Sequence, residues 1–278
     1  MKFSKRTQGD TPMTTSTEMT MNTVAANTFA WNEIATRDTK TVSEFYCSLF
    51  GWTAELADCT EGYTLFKMGD TPIGGMIEMN EEWPEDIPTH WGAYIYVEDV
   101  DATAAKVEAA GGTLCCGPMD AGEGGRMAVL KDPSGAVISL YKGGDGMNAV
   151  GDSAFCWNEL LSTDTSTSAE FYSTVFGWIP MAMEGTGEPY TLFMSGEDCA
   201  GSMMQMHWEG EQSWMAYVQV DDVDAVAAKA TELGASLCAE PQDIPTIGRF
   251  AVFTDPSGGT VGVFKSSTPC CGDSCGCS

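Results

Sequence analysis

Two glutamates, Glu33 and Glu159, hold the same place in two copies of one short pattern, Trp31-Asn32-Glu33-Ile34 and Trp157-Asn158-Glu159-Leu160, displaced by 126 positions. On a strand, side chains two apart share a face, so Phe29, Trp31 and Glu33 would point one way, and Trp157 and Glu159 would repeat the arrangement. A carboxylate on an inward face must be paired or hydrogen-bonded. One role for it is general acid or base, which requires a substrate proton within hydrogen-bond reach. The alternative is half of a structural ion pair. Arg126 and Arg249 also recur and are candidates either for that pair or for ligand contact. Tyr94 and Tyr96 alternate along one further stretch, and Met215 and Tyr217 along another, so they would line the same wall. An apolar lining with a few placed polar groups is the usual make-up of a small-molecule site. Met203, Met204 and Met206 would make such a wall adaptable. The bland alternative is that Trp31 and Trp157 simply fill a core.

The elements that must carry these residues follow from the repeat. Glu44-Phe45-Tyr46 returns as Glu170-Phe171-Tyr172, Tyr63-Thr64-Leu65-Phe66 as Tyr190-Thr191-Leu192-Phe193, and Asp132-Pro133-Ser134-Gly135 as Asp255-Pro256-Ser257-Gly258. Within the first copy, alternation predicts a strand over residues 29–35, and Asp38 or Thr39 caps a helix whose apolar face is Val42, Phe45, Tyr46 and Leu49. Gly51 ends that helix. Strands are expected near residues 53–56, 63–68 and 74–79. The order then restarts with a strand over 92–97, a helix over 100–110 and strands near 113, 126–130 and 136–141. Each copy therefore reads as βαβββ written twice, an α+β design. Asp132 and Asp255 serve turns, and the Asp-Val-Asp-Ala repeats serve helix caps. The expected boundaries are a disordered leader over 1–28, a first domain over 29–142, a linker over 143–154, a second domain over 155–265 and a cysteine-rich tail over 266–278.

Composition narrows the partners. Forty acidic against thirteen basic residues leave a formal charge of −27, which repels nucleic acid and anionic membranes. No apolar run has the length of a membrane span, and no apolar segment follows the early basic residues, so a cytoplasmic location is expected. Seven of the eleven cysteines, Cys47, Cys59, Cys115, Cys116, Cys156, Cys199 and Cys238, read as small buried residues. The other four, Cys270, Cys271, Cys275 and Cys277, crowd the tail and could hold a soft metal ion or form labile disulfides.

The helix ending in Phe-Tyr-x-x-x-Phe-Gly-Trp, the Asp-Val-Asp-Ala helix entry and the Asp-Pro-Ser-Gly turn together resemble the vicinal oxygen chelate superfamily, which includes glyoxalase I, extradiol dioxygenases and bleomycin-resistance proteins. Within it the chain looks most like the two-domain glyoxalase-like or hydroxylase-like proteins. The resemblance implies that each domain curls two βαβββ modules into a half-open barrel, a cup that holds a small molecule. It also implies either a lyase, isomerase, hydroxylase-like or dioxygenase-like activity, or ligand sequestration of the bleomycin-resistance kind. Domains of this kind pair within one chain or across a homodimer. Metal-using members place ligands at positions that fall here on Trp31, near Gly75, at or beside Gly92 and on Ser139, and again on Trp157, near Ser202, at or beside Met215 and on Gly262. None of these is a good ligand, and the only histidines, His90 and His207, are not equivalent. Cups without a metal, and no cofactor, are expected.

Overall fold

The computed structural model describes residues 20–57, 62–122, 125–143, 147–183 and 189–267, with the side chains of 20–23, 147 and 148 left aside. A short strand, β1 (Thr20–Thr23), precedes the first repeat. That repeat runs β2 (Thr28–Thr36), α1 (Thr39–Phe50), β3 (Thr53–Leu56), β4 (Tyr63–Met68) and β5 (Thr71–Glu78), then β6 (His90–Tyr96), α2 (Val100–Ala109), β7 (Thr113–Asp120), β8 (Arg126–Lys131) and β9 (Val137–Lys142). Strand β10 (Met147–Val150) stands between the repeats. The second repeat runs β11 (Phe155–Ser162), α3 (Thr165–Phe176), β12 (Ile179–Met183), β13 (Tyr190–Ser195) and β14 (Asp198–Gln205), then β15 (Ser213–Gln219), α4 (Val223–Glu232), β16 (Ser236–Ile244), β17 (Gly248–Thr254) and β18 (Thr260–Ser266).

Local chemistry sets the helix ends. Asp38 accepts from the Thr41 N–H at the start of α1, and Gly51, at φ 74°, closes it by donating to the Cys47 carbonyl. Asp164 and Gly177 do the same for α3. The face between, Val42, Phe45, Tyr46 and Leu49, is buried, as its spacing requires.

Each repeat makes one eight-stranded mixed sheet, ordered β3-β4-β5-β2-β6-β9-β8-β7 and β12-β13-β14-β11-β15-β18-β17-β16. The two modules of a repeat meet at an antiparallel seam, β2 with β6 and β11 with β15. Neither sheet closes into a barrel. The helices pack on one face of their sheet, which leaves the other as the cup.

The helix-covered faces of the two repeats pack on each other. One core joins Val42, Phe45 and Tyr46 of α1 to Val223, Ala227 and Ala230 of α4 and to Phe253. The other joins Val100 and Val107 of α2 to Phe171, Tyr172 and Val175 of α3. Each core thus combines the first module of one repeat with the second module of the other. Hydrogen bonds fix the register. Trp91 Nε1 donates to the Tyr46 hydroxyl (2.8 Å), which donates to Asp255 Oδ2 (2.8 Å) across the domain boundary. Trp214, Tyr172 and Asp132 repeat the relay in the other direction, at 2.7 and 3.2 Å. The expected turn role of Asp132 holds as well, since its Oδ1 accepts the N–H groups of Ser134, Gly135 and Ala136. A fully buried large apolar side chain contributes about 1.5 to 3 kcal/mol and a hydrogen bond about 0.5 to 1.5, so the shared cores dominate and the relays specify.

Several expectations need correction. Thr20–Thr23, within the expected leader, pairs with Met147–Val150, within the expected linker. Residues 1–19 and the tail cysteines Cys270, Cys271, Cys275 and Cys277 lie outside the described residues, as does Cys59. Phe29 does not share the face of Trp31, because a β-bulge between them turns it into the core, where its ring meets Trp214 at 5.0 Å. Met203 is buried in the core rather than in a cup wall, and Met206 is buried beyond the end of β14. Cys115, Cys116, Cys156 and Cys238 are exposed, and only Cys47 and Cys199 are half-buried. Cys115, Cys116 and Cys238 sit on β7 and β16, edge strands whose side chains are covered by little else. Among the described residues no helix is long and apolar enough to cross a membrane.

Candidate functional site

The seam strands bring the repeated glutamates to the middle of each cup. Glu33 lies between Gly75 on β5 and Gly92 on β6, so glycine flanks it on both sides. The Tyr94 hydroxyl donates to Glu33 Oε1 at 2.8 Å. Tyr63 from β4 also bonds this carboxyl, and Trp31 Nε1 donates to the Tyr63 hydroxyl at 2.9 Å. Ser139 bonds Tyr94 from the far side. Gly75 is required here, since a Cβ at that position would stand 2.0 Å from the Tyr63 hydroxyl oxygen.

The second cup repeats the theme with different neighbours. Glu159 lies between Ser202 and Met215. The Tyr217 hydroxyl donates to Glu159 Oε2 at 2.9 Å, and Tyr190 bonds the same carboxyl. Ser202 Oγ now accepts from both Trp157 Nε1 (2.8 Å) and the Tyr190 hydroxyl (2.7 Å). Tyr217 lies flat where Gly262 leaves room, a Cβ there falling 2.2 Å from the ring. Glu159 is only 6% exposed, whereas Glu33 keeps part of its surface in contact with solvent although protein rings its carboxyl.

In both cups burial pushes the glutamate carboxyl up from the ordinary value, and the bonds from two tyrosines offset this only in part. Burial, with the neighbouring carboxylate, raises Tyr63, Tyr94, Tyr190 and Tyr217 in turn, so these phenols stay neutral donors. Burial thus shifts each carboxyl toward its protonated form, the form that gives as well as accepts a hydrogen bond.

The structure places Glu33, Trp31 and Tyr94 side by side, and likewise Glu159, Trp157, Met215 and Tyr217. The sequence reading did not assign roles to Tyr63, Tyr190 or Ser202, although the repeated Tyr-Thr-Leu-Phe pattern was the available signal. The ion pair between the glutamates and the repeated arginines, one of the two alternatives, does not form. Arg126 spans two aspartates at the surface, Asp101 (2.7 Å) and Asp120 (3.1 Å), and Arg249 does the same with Asp224 and Asp243. These aspartates lie on the helix entry and the edge hairpin, which take up the fork before it reaches a cup. Tyr96 sits further along β6, buried, where its hydroxyl accepts from Lys142 Nζ at 2.6 Å.

A divalent transition metal does not fit this donor set. Each cup offers one carboxyl, two phenols and an indole, and among the described residues no group of three or more His, Cys, Asp or Glu side chains converges. His90 turns its Nδ1 to the Pro88 carbonyl. Two clefts, about 280 and about 330 Å³, open elsewhere, one between the end of α1 and α4 and one beside Arg249. Neither is lined by the repeated glutamates or by the tyrosines and tryptophans around them, so the cups remain the candidate site.

The chain belongs to the glyoxalase and dioxygenase superfamily: residues 25–140 match the family described as Glyoxalase/Bleomycin resistance protein/Dioxygenase superfamily, and residues 155–264 match the Glyoxalase-like domain. It is 35% identical over 245 residues to a protein of Mycobacterium tuberculosis named "Putative glyoxylase CFP32", covering 84% of this chain and 93% of that one. It is 30% identical over 247 residues to the anthracycline biosynthesis protein DauV of a Streptomyces species, covering 82% and 90%. Among solved structures, the fold matches the Mn(II)-bound glyoxalase of Novosphingobium aromaticivorans at TM-score 0.61 and 16% identity, over 86% of this chain and 82% of that one. The 2,3-dioxygenase LapB of a Pseudomonas species matches at TM-score 0.61 and 13% identity, over 87% and 93%.

Proposed function

We propose that the protein binds a small, uncharged aromatic molecule at its cups without a metal ion, through Trp31, Glu33, Tyr63 and Tyr94 and, where it is accessible, the matching set Trp157, Glu159, Tyr190, Met215 and Tyr217. The observation that carries this reading is the carboxyl ringed by two phenols at both seams, held toward its neutral form by burial. In its protonated form the acid, beside an indole, recognises a carbonyl or hydroxyl on a flat ring. Kinship with proteins named for anthracycline biosynthesis agrees with an aromatic ligand. Arg126 and Arg249 take no part, being engaged at the surface.

Fluorenone tests the reading as a neutral aromatic carbonyl, with fluorene as the same frame lacking the oxygen. In protein ending at Ser267 and dialysed against chelator, fluorenone should quench tryptophan fluorescence saturably and fluorene should bind more weakly. Restored binding only on adding one equivalent of Mn(II) or Zn(II) per cup would sink the proposal. The raised carboxyl also favours a second reading, general acid-base catalysis by Glu33 or Glu159. Turnover of the methylglyoxal-glutathione adduct by metal-free protein, lost in Glu33→Gln, would establish it.

A further inference from the structure

The two cups share their acid but not the residues beside it. On the seam strand facing the glutamate, the first cup carries Gly92 and the second Met215, each paired directly with its glutamate. Directly opposed residues of an antiparallel pair hold their Cβ atoms about 4.5 to 5.5 Å apart, so the side chain at this position governs access to the carboxyl. Above Gly92 the space is open. A Cβ built there meets nothing nearer than the Glu33 carbonyl oxygen at 3.8 Å. In the second cup the same register position carries Met215, whose side chain is long and adaptable. Exposure follows the difference, with Glu33 in contact with solvent and Glu159 buried at 6%. Gly75 does not create this opening, because the Tyr63 hydroxyl already fills its Cβ position.

We infer that the first cup alone is open to a ligand, that Met215 seals the second, and that Gly92 is the residue that sets access to the Glu33 carboxyl. The chemistry of the ligand rests on the reading above, a flat neutral carbonyl compound, while the difference in access rests on the glycine and methionine alone. One site per chain follows, with the second cup serving the fold.

Dicyclohexylcarbodiimide tests access directly in the full chain. This apolar reagent adds the O–H of a neutral carboxylic acid across one of its C=N bonds, and the O-acylisourea rearranges to a stable N-acylurea with no leaving group and no oxidant. Peptide mass spectrometry then reads modification at each glutamate over time. Glu33 should react faster than Glu159 by roughly tenfold or more. Met215→Gly should raise the rate at Glu159, and Gly92→Met should lower it at Glu33. Similar rates in the parent protein, no reaction at Glu33, or rates indifferent to both substitutions would each overturn the inference. Saturating fluorenone should protect Glu33. If the rates differ and swap as expected but fluorenone gives no protection, the open cup stands and the aromatic ligand falls.

Discussion

Burial and hydrogen bonding pull the Glu159 carboxyl in opposite directions, and burial is the larger effect. Its folded pKa therefore lies above the unfolded one, and folding favours the protonated form. The corresponding stabilisation is complete below the unfolded carboxylate value and is lost as pH rises through the raised folded value. Glu159→Gln keeps the shape and stays neutral, with its amide oxygen accepting from Tyr217 and its amide nitrogen donating to the Tyr190 oxygen. The variant should melt no lower than the parent at pH 8, and it should lose the component of the pH dependence that sets in above the unfolded carboxylate value. A fall of about 3 to 5 kcal/mol, the penalty for stranding one partner of a buried ion pair, would mean that a cation holds the acid after all. The arginines behave differently. Each forms an exposed, bidentate pair with a helix-entry aspartate, so Arg126→Met should leave the melting temperature nearly unchanged and leave fluorenone binding intact.

At the scale of elements, β4, β5 and β2 form a lattice in which one missing side chain positions another. The Tyr63 hydroxyl occupies the volume a Cβ at Gly75 would need, so Gly75→Ala should displace Tyr63 from Glu33, weaken ligand binding and alter the fluorescence of Trp31. Adding Tyr63→Phe removes the hydroxyl but leaves ring Cζ, 2.6 Å from that Cβ, so it should ease the clash only in part and, without the bond to Glu33, should not recover binding. A double variant no more stable than Gly75→Ala alone would place the clash elsewhere. This lattice explains which parts of the site could be read from sequence. Helices α1 and α3 were legible because an Asp cap, an apolar stripe and a left-handed Gly are all local signals. The face of Phe29 was not, since its bulge arises from the pairing of β2 with β6, about sixty residues away in sequence. Nor was the tyrosine pair on each glutamate. Repetition marked Glu33, Arg126 and Tyr63 as kept in both copies, but only the strand order β4-β5-β2 on one side and the edge hairpin on the other decides that the acid meets the phenol and the arginine meets aspartate.

At the scale of the whole molecule, each hydrophobic core draws on both repeats, so neither repeat encloses a core of its own. The Tyr46 hydroxyl is buried between Trp91 Nε1 and Asp255 Oδ2, and Tyr46→Phe leaves both without that partner. Unsatisfied buried groups cost about 1 to 3 kcal/mol each, so the substitution should lower unfolding stability by an amount of that order in urea titrations, with a single transition kept. Two transitions would mean that the repeats unfold separately. The stronger test removes the partner altogether. A fragment of residues 20–143 would expose the apolar faces of α1 and α2 and the carbonyls that now meet Trp178 and Lys229. Because the two halves of its surface are those that join in the full chain, a second copy of the fragment offers an approximate substitute for the missing repeat. The fragment should therefore sediment as a homodimer or aggregate, and co-expression with residues 147–267 should recover a one-to-one complex that binds as the intact chain does. A stable, folded monomer of either fragment would show that the shared cores are not what holds each repeat together.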